Sequence, residues 1–203
     1  MEATSTEAPV RLNQTQILKD DLRKILPDFL PVELHGRDNV RVLSVGCGWA
    51  PESTVITELL PHAVFLGIDI NPVPLKGAKA INKAVSPENF QLLDATNPES
   101  FGSQPWDLIF LRNVQSGGTL ESGYYTGMID PTWQMIMLNC IDHLAETGYI
   151  YVASQSGEEV EKVEDFLKKA GLTSIIPVKS LGYLDLKSNF PYRENYAGLL
   201  RKA

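Results

Sequence analysis

Residues 41–53 read RVLSVGCGWAPES, and their types and spacing suit the binding of a nucleoside. The apolar residues at the start of this segment fit a strand that is buried on both faces of a parallel sheet. Gly46 and Gly48 then allow a tight turn, and Pro51 suits the first position of a helix, where its missing N–H costs nothing. A strand, a glycine turn and a helix N-terminus in this order expose bare backbone and unpaired N–H donors to a ligand.

An acidic residue, Asp69, ends the next apolar run about 20 positions after the turn, where a carboxylate can accept hydrogen bonds from two ribose hydroxyls. The two features together predict a nucleoside-binding βαβ unit. The dinucleotide fingerprint needs a third glycine after the G-x-G pair, and Pro51 stands in that register instead. A nicotinamide-dependent oxidoreductase is therefore disfavoured, and it is kept only as an alternative.

The segment VLSVGCGWA at 42–50, with Ala50 as its last small residue, resembles the glycine loop of class I S-adenosylmethionine-dependent methyltransferases. The resemblance extends over residues 40–203 and implies S-adenosyl-L-methionine as the cofactor and methyl transfer as the reaction. That family usually carries Asp or Glu at the position of Ser44, so the carboxylate that anchors the loop is absent from this strand. A catalytically inactive protein of the same fold that only binds the cofactor is the main alternative.

The resemblance implies a cofactor that lies across the carboxyl ends of the first four strands. It assigns these residues to cofactor binding: Gly46, Cys47, Gly48, Trp49, Asp69, Ile70, Asp94, Ala95 and Arg112. The loop residues would line the methionine part and the ribose, with Asp69 holding the ribose and Ile70 against the adenine. Asp94 and the backbone N–H of Ala95 would contact the adenine. Arg112 is assigned to the cofactor's carboxylate, since a guanidinium fork suits a carboxylate.

Three of these residues also have a simpler interpretation. Asp94 at a strand end is typical of a turn or a helix cap. Arg112 could instead bind an acidic substrate, or pair structurally with Asp107 or Asp130. Trp49 is interpreted mainly as partly buried packing, and cation–π attraction to a sulfonium is the alternative. The ordered set of strand ends therefore predicts the site better than any one member.

A glycine-rich loop after the fourth strand is predicted to hold the methyl acceptor, because variable loops usually carry substrate recognition. Its candidate substrate contacts are Asn113, Gln115, Tyr124 and Tyr125. We interpret the loop as a lid or a wall of the substrate site, with an ordinary surface loop as the alternative.

A general base is needed only if the acceptor must lose a proton, since the sulfonium already carries an activated methyl group. Transfer then depends mainly on holding donor and acceptor in the right geometry. His143 falls in a helix with a core-packing pattern and is interpreted as structural, whereas His35 in the connector before the first strand could approach the site. The catalytic residues therefore stay unassigned.

Strands that alternate with helices predict an α/β fold, a Rossmann-like doubly wound sheet that is mostly parallel. The last two β-rich runs, 173–181 and 196–200, have no helix between them and predict an antiparallel C-terminal hairpin, as in the class I methyltransferase fold. Residues 1–40 are predicted to form a flexible tail and an N-terminal capping helix from Asn13 to Leu26. The resemblance implies that residues 41–203 form the S-adenosylmethionine-binding methyltransferase domain.

The composition limits the class of acceptor. The formal net charge is −7 and no cluster of Lys and Arg occurs, which weighs against a nucleic-acid substrate and favours a small molecule. The Asn/Asp-Pro-Pro-aromatic signature of amino-directed nucleic-acid and protein methylases is missing at 112–114, which read RNV. The two cysteines predict neither a disulfide framework nor a metal site, and no apolar run suits a membrane span. A cytoplasmic location is expected, and the oligomeric state is left open.

Overall fold

A computed structural model describes residues 7–112, 129–181 and 195–202 of the 203-residue chain. The helices are α1 (Glu7–Phe29), α2 (Pro51–Leu59), α3 (Pro72–Ile81), α4 (Pro131–Asp142) and α5 (Gly157–Lys169). The strands are β1 (Arg41–Val45), β2 (Val64–Asp69), β3 (Phe90–Leu92), β4 (Trp106–Arg112), β5 (Leu144–Ser154), β6 (Leu172–Ser180) and β7 (Tyr196–Lys202).

The strands form one sheet in the order β3-β2-β1-β4-β5-β7-β6. The first five strands pair in parallel, and β7 inserts antiparallel between β5 and β6. The predicted doubly wound sheet with an antiparallel C-terminal hairpin is confirmed. Because the chain moves outward in opposite directions from β1 and β4, the switch point for ligand binding lies between the carboxyl ends of these two strands.

Alternate residues of the central strands pack into two apolar cores, one on each face of the sheet. Val42 and Phe110 face the core that α1, α2 and α3 cover. Leu43 and Ile109 face the core that α4 and α5 cover. Since side chains alternate across a strand, Ser44 shares the face of Val42 and lies on the α2 side of the sheet.

Local sequence signals start the helices around this edge of the sheet. Pro51 opens α2 directly after Ala50, whose left-handed backbone (φ 47°) ends the glycine turn. Asn71, Asp130 and Ser156 each accept a backbone N–H from the first turn of α3, α4 and α5, respectively. Such side-chain caps satisfy donors that have no partner within the helix. Proline or a capping side chain therefore defines the first residue of each helix from α2 to α5.

Two predicted boundaries are wrong. The first helix begins at Glu7 and runs past Pro27 to Phe29, so residues 7–12 belong to a helix and not to a tail. Phe29 and Leu30 are 2% and 7% exposed, and their burial outweighs the backbone hydrogen bond that Pro27 cannot donate. No helix in the described part of the chain is both long and apolar enough to cross a membrane.

Candidate cofactor site at the carboxyl ends of β1 to β4

The glycine turn after β1 depends on left-handed backbone that favours glycine. Gly46 and Gly48 have φ values of 62° and 55°. A Cβ atom added at Gly48 would meet no heavy atom within 4 Å, so bare backbone faces open space there. Cys47 between them is buried, and its N–H donates to the Ile68 carbonyl of β2 at 3.0 Å. The predicted turn is present and offers backbone to a ligand.

Asp69, at the end of β2, lies against this turn. Its Oδ2 accepts a hydrogen bond from the Gly48 N–H at 2.8 Å, and its Oδ1 accepts one from the Asn71 N–H at 2.7 Å. Asp69 is half-buried. A carboxylate oxygen has more than one lone pair, so these backbone bonds leave acceptor capacity for ribose hydroxyls. The two residues that define the predicted nucleoside unit are therefore in direct contact.

The Trp49 ring packs against α3. A Cβ atom added at Gly77 would lie 2.2 Å from Trp49 Cζ3, so the ring covers this glycine at close range. The Trp49 carbonyl accepts a hydrogen bond from Asn82 Nδ2 at 2.9 Å. The packing interpretation of Trp49 agrees with this geometry.

A different tryptophan approaches the glycine turn. Trp133, in the first turn of α4, places its Cη2 3.7 Å from where a Cβ of Gly46 would lie. Sequence reasoning did not select it, although an aromatic residue two positions after Pro131 was the available signal. Trp133 therefore joins the residues around the methionine part of the predicted site.

The predicted adenine side carries apolar and polar groups at the ends of β2 and β3. Ile70 and Leu92 are 70% and 58% exposed, so two apolar side chains lie open to a ligand. Asp94 Oδ1 accepts hydrogen bonds from the N–H and the hydroxyl of Thr96 at 2.9 and 2.8 Å, and the backbone bond is the main reason why the pKa of Asp94 is lowered. Asp94 thus stabilises a local turn, in agreement with the simpler interpretation of this residue. The carbonyl of the buried Ala95 accepts a hydrogen bond from Asn139 Nδ2 at 2.9 Å.

Arg112 pairs with neither of the acids that the sequence suggested. Its Nη1 donates to Glu52 Oε2, and the two side chains are 8% and 0% exposed. Asp107 pairs instead with Arg37 at 2.9 Å, and Asp130 caps α4 through the Thr132 N–H. Those two predicted pairings are wrong, because Arg112 is ion-paired instead with Glu52 on the helix α2.

Glu52 also corrects the expectation that the glycine turn lacks a carboxylate. Ser44 Oγ donates to Glu52 Oε1 at 2.6 Å, and both residues are buried. The carboxylate that the family resemblance places on β1 is supplied here from the first turn of α2. Sequence reasoning missed Glu52, since a glutamate in a first helical turn usually serves only the helix dipole.

The two candidate bases lie in different surroundings. His143 Nδ1 lies 2.8 Å from the Asn139 carbonyl, and its ring stacks on Phe101 at 4.9 Å, in agreement with a structural role. His35 is exposed, and two residues later Arg37 pairs with Asp107 near the amino end of β4. The suggestion that His35 approaches the site is therefore wrong, since that edge of the sheet is opposite to the glycine turn.

The predicted substrate contacts lie outside the described residues, as does most of the loop that carries them: Asn113, Gln115, Tyr124 and Tyr125. Over the part of the chain that the structure covers, no cluster of His, Cys, Asp and Glu could hold a metal ion. Cys47 and Cys140 are free and buried.

Comparison with known proteins identifies the class. A family profile described as a methyltransferase domain matches residues 37–188. The chain therefore belongs to the methyltransferase domain family, and its fold is that of class I S-adenosylmethionine-dependent methyltransferases. No curated protein sequence matches the chain.

Three solved structures illustrate the likeness. An S-adenosylmethionine-dependent methyltransferase from Clostridium acetobutylicum has 13% identity and a TM-score of 0.60, with 93% of this chain and 92% of that chain covered. A precorrin-6y C5,15-methyltransferase from Geobacter metallireducens has 20% identity and a TM-score of 0.58, with coverages of 90% and 87%. An rRNA methylase from Streptococcus thermophilus has 12% identity and a TM-score of 0.55, with coverages of 91% and 93%. At these identities the likeness concerns the fold, and the names of the last two proteins give different acceptors, precorrin-6y and rRNA.

The residues at the carboxyl ends of β1 to β4 fit a nucleoside cofactor. Open backbone at Gly48 lies beside a half-buried carboxylate, Asp69, and exposed apolar side chains follow on the next two strands at Ile70 and Leu92. Sites for small organic ligands combine apolar surface with a few placed polar groups in this way. These groups thus suit a ribose whose base packs against apolar side chains.

Proposed function

We propose that this chain is an S-adenosylmethionine-dependent methyltransferase whose acceptor is a small molecule. The observation that carries the proposal is the 2.8 Å hydrogen bond between Gly48 and Asp69. It brings together the open turn and the carboxylate that a nucleoside needs, next to the switch point of the sheet, in a chain that belongs to a methyltransferase family.

The proposal gives each part of the cofactor a set of residues. Asp69 accepts hydrogen bonds from the ribose, and Ile70 packs on the adenine together with Leu92. Asp94 and the Ala95 N–H serve the polar edge of the adenine. These residues follow β2 and β3, which lie side by side in the sheet with Asp69 paired to Leu92. One nucleoside can therefore reach all of them across neighbouring strand ends.

The glycine turn and its neighbours hold the amino-acid end. Gly46, Cys47, Gly48 and Trp49 form the backbone surface beneath it, and Arg112 provides a cationic side chain at the end of the adjacent strand β4. The cofactor, when bound, supplies a methyl group activated by a sulfonium. The protein's own part is to hold the donor and an acceptor in near-attack geometry and to exclude water.

Charge supports a small acceptor over a nucleic acid. The chain carries 25 acidic and 18 basic residues, and proteins that bind nucleic acids usually present a basic patch to the phosphates. Asn113, Gln115, Tyr124 and Tyr125 stay our candidates for acceptor contacts, because their loop follows β4 directly. Two free, buried cysteines agree with a reducing compartment, and we place the protein in the cytoplasm.

Isothermal titration calorimetry with S-adenosylhomocysteine, the demethylated cofactor, tests the nucleoside site. Saturable binding of one equivalent, with no heat from NAD under the same conditions, supports the proposal; binding of NAD alone contradicts it. Transfer of tritiated methyl from S-adenosylmethionine is then assayed against a metabolite extract, total RNA and a protein lysate. Label in the metabolite fraction is expected, whereas label in RNA or protein alone would overturn the small-molecule acceptor.

A further inference from the structure

A carboxylate that the cofactor cannot touch lies behind the proposed site. Glu52 is 0% exposed, and both of its oxygens are engaged, Oε1 by the Ser44 hydroxyl and Oε2 by the Arg112 guanidinium. Ser44 and Glu52 flank the glycine turn in sequence, so their 2.6 Å hydrogen bond closes the turn at its base. Glu52 can therefore act on a ligand only through the groups that it holds.

Charges from several elements surround this carboxylate. Arg112 of β4 is ion-paired with it, and the buried Lys19 of α1 interacts with it electrostatically. Burial is the main cause that lowers the pKa of Lys19, and the carboxylates of Glu58 and Glu52 act in the opposite direction. Burial, Glu52 and Asp69 all raise the pKa of the Cys47 thiol. Of the basic groups around Glu52, Arg112 is the one that is hydrogen-bonded to it.

Arg112 has a defined place relative to the glycine turn. Val45, the last residue of β1, is paired with Leu111 of β4, so Gly46 and Arg112 each follow directly after this pair. The Arg112 side chain is 8% exposed. Ser44, at the end of the same β1, is neutral and carries no charge toward this edge. Arg112 is therefore a cationic side chain that ends β4 next to the strand that leads into the glycine turn, with Glu52 as its partner.

We propose that this protein recognises the amino-acid end of its cofactor chiefly by the carboxylate, through Arg112, and that Glu52 is the positioning residue that fixes the Arg112 guanidinium for this contact. The inference rests on the proposed function. A guanidinium carries five N–H donors in a rigid planar fork, so a bond to Glu52 fixes the orientation of the whole group. Ion pairing to a fully buried acid also removes the conformational freedom that a long side chain would lose on binding.

Wild-type protein and three ligands test the proposal without any substitution. Calorimetry compares S-adenosylhomocysteine with its decarboxylated analogue and with its deaminated analogue. Loss of the carboxylate is expected to weaken binding about tenfold or more, as for a hydrogen bond to a charged group, and loss of the ammonium less than about threefold. An equal effect of the two deletions, or a larger effect of the ammonium, overturns the inference. If none of the three ligands binds, the proposed function itself fails.

Variants then assign the role to Glu52. Glu52→Gln keeps an acceptor for Ser44 but removes the charge that pairs with Arg112, and we expect S-adenosylhomocysteine to bind about tenfold more weakly. The affinity for 5′-methylthioadenosine, which lacks the whole amino-acid end, should stay unchanged. Glu58→Gln is the matched control, because Glu58 lies on the same helix but pairs with Arg23 at the surface. An equal loss of affinity for both ligands in Glu52→Gln would show a merely structural role and contradict the assignment.

Discussion

The carboxylate of Asp69 and the backbone N–H of Gly48 are joined by a 2.8 Å hydrogen bond between the end of β2 and the glycine turn after β1. The bond fixes an acidic side chain beside backbone that a ligand can approach closely. Asp69 therefore anchors the turn, and we propose that it also accepts hydrogen bonds from a ribose.

Replacement of Asp69 by Ala should weaken S-adenosylhomocysteine binding by about 2 kcal/mol, because it removes hydrogen bonds to a charged acceptor. Calorimetry measures the affinity. Asp38→Ala serves as the control, since Asp38 is exposed in the connector before β1. The same affinity in both variants would contradict the ribose assignment.

The buried ion pair predicts a large difference between two glutamates of α2. Glu52→Ala leaves the Arg112 guanidinium without its buried partner, and the free energy of unfolding should fall by about 3 kcal/mol. Glu58→Ala breaks a surface pair with Arg23 and should cost less than about 1 kcal/mol. Urea denaturation measures both values. A loss for Glu52→Ala that is as small as the loss expected for Glu58→Ala would show that the Glu52 pair does not stabilise the fold.

The contact between Trp49 and Gly77 predicts that substitutions of these two residues have non-additive effects on the free energy of unfolding. Gly77→Ala places a methyl group 2.2 Å from the Trp49 ring, and overpacking of this kind costs about 1–3 kcal/mol of unfolding free energy. In a Trp49→Leu background the same change should be neutral or stabilising, because alanine favours a helix over glycine by about 1 kcal/mol. A double-mutant cycle by urea denaturation tests this coupling, and additive effects would contradict the packing of the ring on α3.

The buried thiols predict a loss of stability at alkaline pH. Burial is the main cause that raises the pKa of both Cys47 and Cys140 in the folded protein. The unfolded chain therefore releases its thiol protons first, at a pKa of about 8.5. The stabilising contribution is fully present below that pH and is lost as the pH rises toward the folded pKa values.

Urea denaturation between pH 7.5 and 10 checks this dependence. The free energy of unfolding of the wild type should decrease more steeply with pH than that of the Cys47→Ala/Cys140→Ala variant. Equal slopes would mean that the thiols titrate alike in the folded and unfolded states.

Local signals predicted the frame of the site. Local sequence determines the turn at Gly46 and Gly48 and the helix start at Pro51, because positive φ values favour glycine and a first helical position accepts proline. The carboxylate of Asp69 was predicted from its position at the end of the next strand. The mostly parallel, doubly wound sheet was predicted from the alternation of strands and helices. These features are determined by hydrogen bonds and turns that a short segment makes for itself.

Long-range contacts could not be predicted from the sequence. Glu52 meets Arg112 only because α2 and β4 pack together across 60 positions of the chain, and no pattern in either segment identifies the partner. The approach of Trp133 to Gly46 depends on the packing of α4 in the same way. Helix α1 passes Pro27 because burial of Phe29 outweighs a local penalty. Tertiary packing decided each of these points.

A crystal structure of the complex with S-adenosylhomocysteine tests the central claim most directly. We expect both ribose hydroxyls within hydrogen-bonding distance of the Asp69 carboxylate, with the adenine beside Ile70 and Leu92. A nucleoside bound elsewhere on the sheet, or an Asp69 side chain directed away from the ribose, would contradict the account.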